Sequence, residues 1–129
     1  MYKLKDWIDK NKILLLKGSK ISLNPNAISL LEKNQDKIKW SDLLMNPNAI
    51  HLLEANPHKI YWHSLSFKGI GHSLSLNPNA ISLLEKNQDK IDWKYLSMNP
   101  NAIHLLEANP DKIDWDWLAS NKCYTFIRS

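Results

Sequence analysis

The sequence predicts an all-α fold in which short two-helix repeats of 22 residues stack as a small α-solenoid. Three observations carry that expectation. The pentapeptide Asn-Pro-Asn-Ala-Ile opens at Asn24, Asn46, Asn77 and Asn99, and two of the three intervals are 22 residues. Tryptophan keeps the same beat, at Trp40, Trp62, Trp93 and Trp115. Strand formers are scarce: there is no Val, Thr125 is the only Thr, and Leu is the commonest residue with 20 copies. Leu favours helix, whereas strands draw on β-branched residues. One such repeat cannot bury its apolar face alone, and stacking makes a continuous core.

A leucine-rich-repeat horseshoe is the runner-up, since 22 lies in its period range. That pattern needs Leu-x-Leu before an Asn, on a strand. Here Leu96-Ser97-Met98-Asn99-Pro100 leads into a helix start instead.

The full repeats are 24–45, 46–67, 77–98 and 99–120. The consensus is NPNAI-x-LLE-x-N-x-x-KI-x-W-x-x-L-x-x. Nine extra residues, 68–76, read KGIGHSLSL, and the stretch 11–23 is similar. Aligning 22–66 with 75–119 leaves nine mismatches in 45 positions, so a two-repeat block is duplicated. The expected organisation is one domain, 1–129. It comprises a basic N-terminal cap with a shortened repeat (1–23), two full repeats (24–67), a shortened Gly-containing repeat (68–76), two full repeats (77–120) and a partial C-terminal repeat (121–129).

Within a repeat, Asn46 reads as an N-cap and Pro47 as the first helical residue. Ala49, Ile50, Leu52 and Leu53 form one apolar face, and Asn48 merely rides in the first turn. Asn56 reads as a left-handed stop, and Pro57 blocks continuation. The expected first helix has about ten residues, and a second of about seven follows around Trp62 and Leu65. In the last repeat Asp114 caps the second helix. The regular tryptophans read as core. Trp7 and Trp117 lie off the beat and read as exposed aromatics or end caps.

Charge is segregated. Residues 1–20 hold six Lys against Asp6 and Asp9, which accounts for the whole surplus of +4. The rest of the chain is balanced and shows no basic stripe, so the body reads against nucleic acid as a partner. The basic segment itself reads as a solvated face, with contact to nucleic acid as an alternative. The apolar run Ile13 to Leu16 is too short for a signal-peptide core or a membrane span. Cys123 is the only cysteine, which excludes an intrachain disulfide and a thiolate-rich zinc site.

No catalytic constellation is visible. His51 with Glu54 and His104 with Glu107 are spaced i, i+3, but two ligands do not make a metal site. His58, His63 and His72 gather around the irregular segment. Cys123 has no base beside it in sequence and reads as a buried or end-cap thiol. No phosphate loop, nucleophile elbow or zinc-protease motif occurs. The expectation is a protein that is not an enzyme, with no cofactor and no metal.

The string LSMNPNAIHLLEANPDKIDWDWLA (96–119) resembles tandem repeats in proteins of large nucleocytoplasmic DNA viruses, the giant and algal viruses. The resemblance covers about 22–121. It implies a viral repeat protein located in the host cytoplasm or the virion, and it brings no catalytic residues. The two glycine-bearing shortened repeats depart from that pattern and interrupt a regular superhelix.

Positions that never vary among the repeats should build the scaffold, and variable ones face solvent or a partner. The variable positions flank each tryptophan: Lys39, Ser41 and Asp42; Tyr61, His63 and Ser64; Asp92, Lys94 and Tyr95; Asp114, Asp116 and Trp117. They are the candidate partner-binding ridge. The expected function is a non-enzymatic scaffold that binds a protein. The alternative is a virion structural component that self-associates through its ends.

Overall fold

The computed structural model describes residues 2–15, 20–62 and 73–121. These residues form short helices and turns, with no β-strand among them. The all-α expectation is met. A horseshoe, which needs a strand in every repeat, does not fit the described residues.

The chain divides into two compact units, Met1–Ile60 and Tyr61–Ser129. The first contains α1 (Lys10–Leu15), α2 (Ile28–Glu32), α3 (Trp40–Leu43) and α4 (Ile50–Ala55). Single 3-10 turns at Ile21–Leu23, Gln35–Lys37 and Pro57–Lys59 lie between or after them. The second contains α5 (Ile81–Glu85), α6 (Trp93–Leu96), α7 (Ile103–Ala108) and α8 (Trp115–Ala119). Its 3-10 turns are Leu74–Leu76, Gln88–Lys90 and Pro110–Lys112. Most of the shortened repeat 68–76 and nearly all of the partial repeat 121–129 lie outside the described residues.

The helices are shorter than the sequence predicts. The first in each repeat has five or six residues, and the second, in the three repeats where it is described, has four or five. The reason lies in the Asn-Pro-Asn-Ala segment, which is a turn and not the first turn of a helix. The Asn46 carbonyl accepts from the Ala49 N–H at 3.2 Å. The Asn46 side-chain oxygen accepts from the Asn48 N–H at 3.1 Å. Pro47 sits at the second position of this β-turn, which its fixed φ suits. Ala49 is then the cap residue, and it brings no side-chain hydrogen bond. Asn46 is therefore not the N-cap, and the helix starts only at Ile50. The same geometry recurs at Asn24, Asn77 and Asn99.

The helix end also differs from expectation. Asn56 stays at φ −131°, outside the left-handed region. Its side-chain N–H donates to the Leu52 carbonyl at 2.9 Å, which satisfies a carbonyl that the helix end would orphan. Asn34, Asn87 and Asn109 do the same. Pro57 and Pro110 then open the 3-10 turns, as the sequence suggests. Asp114 caps α8 as expected, accepting from the Trp117 N–H at 3.2 Å.

Helices this short do not stand alone in water, so packing must hold them. Each unit has its own leucine core. Leu31, Leu43 and Leu53 are fully buried in the first, and Leu74, Leu84 and Leu96 in the second. α3 packs on the Ile21–Leu23 turn, and α6 packs on Leu74–Leu76.

Buried asparagines at three positions join the chain to a turn 22 residues earlier. The Asn46 amide donates to the carbonyls of Ser22 and Asn24, both at 3.0 Å. Asn99 donates to Ser75 and Asn77 at 2.9 and 3.0 Å. Asn121 donates to Ser97 and Asn99 at 3.0 and 3.2 Å. The second asparagine of the motif is no passenger: Asn48 donates to Pro25 at 2.9 Å and Asn101 to Pro78 at 2.7 Å. Buried serines add a third bond. The hydroxyls of Ser22, Ser75 and Ser97 accept from the N–H groups of Lys39, Asp92 and Asp114 at 2.9 to 3.0 Å. Burying an amide is costly unless its hydrogen bonds are made, and at Asn46 and Asn99 the amide nitrogen donates twice and the oxygen accepts.

Candidate functional site

The beat tryptophans are not core. Trp40, Trp62 and Trp93 are half-buried, and Trp115 is 64% exposed. Leucine already fills the interior, and Trp40, Trp93 and Trp115 open α3, α6 and α8 at the surface. A lysine from further along the chain lies over the face of two of the four: Lys90 is 5.9 Å from the Trp62 ring centre, and Lys112 is 5.2 Å from that of Trp93. These are cation–π distances. Lysine occupies this place in every full repeat, at 37, 59, 90 and 112, and that constancy was the available signal.

The variable positions divide between surface and interior. In the first compact unit Asp42 is only 2% exposed and pairs with Lys39 at 3.7 Å, so it leaves the expected ridge. It lies within α3, directly before the buried Leu43 and Leu44. Ser41 is half-buried and Lys39 remains exposed.

In the second unit Tyr61 is 55% exposed, and His63 and Ser64 lie outside the described residues. Asp92 spends its carboxylate on the Tyr95 N–H, and Asp114 spends its own on the Trp117 N–H. Asp116 is exposed. Lys94, Tyr95 and Trp117 form one cluster. The Tyr95 and Trp117 rings meet edge to face at 5.6 Å, and the Lys94 ammonium lies 4.5 Å from the Trp117 ring centre. Trp117 is thus half-buried by its neighbours, whereas Trp7 is 82% exposed.

The histidines do not pair within their own helices. His51 reaches Glu32 at 2.5 Å, and His104 reaches Glu85, so each meets the acid 19 residues earlier in place of Glu54 or Glu107. His58 is exposed, and His72 is outside the described residues. Among the described residues no three His, Cys, Asp or Glu gather as a metal site would require. Cys123 lies outside them.

Sequence reasoning missed one concave feature. In the first compact unit a groove of about 450 Å³ opens between the N-terminal segment and α2. Leu4, Ile8 and Leu30 give it an apolar lining, and Lys3, Lys5, Lys10 and Lys33 surround it, with Asp6 as the one acid. The run of lysines was visible in sequence, but its union with Lys33 and Leu30 depends on tertiary folding.

No protein-family model, curated protein or solved structure matches the sequence. No helix among the described residues is long and apolar enough to cross a membrane.

Proposed function

We propose that the chain is a non-enzymatic scaffold of 22-residue helical repeats, stacked as an α-solenoid, which binds a protein partner through the variable residues of its second helices. One observation carries the reading. The residues that precede α3, α6 and α8 hold nearly one conformation, φ −88, −89 and −86° with ψ 95, 100 and 102°, while the side chains that follow differ. A constant frame with changing side chains is how repeat proteins present a recognition surface. Within it, the paired aromatics Tyr95 and Trp117, beside the exposed Lys94, are residue types enriched at the hot spots of protein interfaces. The hydrogen bonds between residues 22 apart support the stacking. The likeness to repeats of large DNA viruses supports a role in the infected cytoplasm or the virion.

Tyr95→Ala/Trp117→Ala tests the ridge. Quantitative capture from infected cells should recover a partner with the wild-type chain and lose it with the double variant, provided circular dichroism shows the variant folded. Equal recovery by both would contradict the reading.

A further inference from the structure

Two features of opposite charge lie on the two compact units. The groove of the first carries Lys3, Lys5, Lys10 and Lys33 against the single Asp6. None of these lysines has an ion pair among the described residues. In the second unit the last full repeat, 99–120, carries Glu107, Asp111, Asp114 and Asp116 against Lys112. Its tryptophan differs from those of two other repeats. Trp62 and Trp93 each lie under a lysine, whereas Trp115 is 64% exposed, with no cation over it among the described residues.

We propose that copies of this chain associate head to tail, with α8 of one entering the lysine-lined groove of the next. The bare indole of Trp115 has the chemistry to rest on the groove's leucines with a lysine on its face, as the two covered tryptophans already do. Asp116 and Asp111, both exposed, then meet the remaining ammonium groups. The groove volume lies within the range of small-molecule pockets, roughly 300–1,000 Å³, and so leaves room for an indole. Groove and helix are different surfaces, so the contact is heterologous and propagates into chains or rings. It is also small and largely electrostatic, hence weak and sensitive to salt. The inference rests on reading the chain as an interaction scaffold and names a second copy as one partner.

Sedimentation of the full chain at about 50 mM and about 500 mM salt tests it, the higher salt shortening the Debye length severalfold. At low salt the average mass should rise with concentration to at least a doubling, and high salt should reverse the rise. Trp115→Ala and Lys3→Glu/Lys5→Glu should each stay monomeric. Their equimolar mixture should form a dimer and nothing larger, because only one intact groove meets one intact α8. A wild-type chain that stays monomeric at low salt overturns the proposal, as does a Trp115→Ala chain that associates like wild type. So does a mixture that fails to dimerise while both variants keep the wild-type dichroism spectrum. Failure on any of these counts is separable from failure of the scaffold reading, since the lysine variant keeps the Tyr95/Trp117 face for partner capture.

Discussion

The two compact units build the same short helix from different side chains. α3 reads Trp-Ser-Asp-Leu and α6 reads Trp-Lys-Tyr-Leu, yet their lead-in residues differ by only 1° in φ and 5° in ψ. Asp42 is buried and pairs with Lys39, whereas its counterpart Tyr95 stacks edge to face on Trp117. What stays constant is the set of anchors. A buried serine hydroxyl takes the N–H just before each helix, at Ser22 and Ser75. A fully buried leucine ends each helix, at Leu43 and Leu96. The backbone is therefore fixed by its two anchors, and the residues between them are free to change. That division is the physical basis for a variable ridge on a uniform frame.

The comparison breaks most readily at the leucines. Leu43→Ala and Leu96→Ala should each cost about 2–5 kcal/mol of stability, the usual range for emptying a buried leucine site. Denaturant unfolding should find the two losses alike; a large loss in one and little in the other would show that the helices are not equivalent. The serines come next. Ser22→Ala and Ser75→Ala leave a backbone N–H without its acceptor, at a cost of about 1–3 kcal/mol each. Amide hydrogen exchange at Lys39 and Asp92 should quicken in the respective variants and stay slow at the other site. The smallest effect should come from the free positions. Lys94→Ala removes one surface cation–π contact, about 0.5–1 kcal/mol, and should leave α6 intact by NMR chemical shift.

The helical class was readable from composition, because abundant Leu with almost no β-branching beyond Ile leaves little else to form. Pro57 and Pro110 marked the helix ends correctly, since proline blocks continuation whatever surrounds it. The role of Asn46 was not readable from one repeat. Asparagine can cap a helix through its oxygen or bridge two turns through its amide, and the same letter serves both. The choice depends on whether a carbonyl stands opposite, and here that carbonyl belongs to a residue 22 positions away. The same limit hid the groove, because Lys33 joins Lys3 only after the chain folds back. Tryptophan misled for a different reason. Its constancy suggested core, but a large indole under a lysine stem is equally constrained at the surface.

The central claim is that the motif's first asparagine holds neighbouring turns together through its amide and does not act as a helix cap. Asn99→Asp separates these roles, because the side-chain oxygen that accepts from Asn101 is kept while the donors to Ser75 and Asn77 are lost. Asp is as good an N-cap as Asn, so a capping role leaves stability nearly unchanged. A bridging role sets a buried carboxylate against two carbonyls and should cost about 3 kcal/mol or more. Equilibrium urea unfolding of this one variant decides between them. A midpoint far below wild type is expected, and an unchanged midpoint would contradict the account.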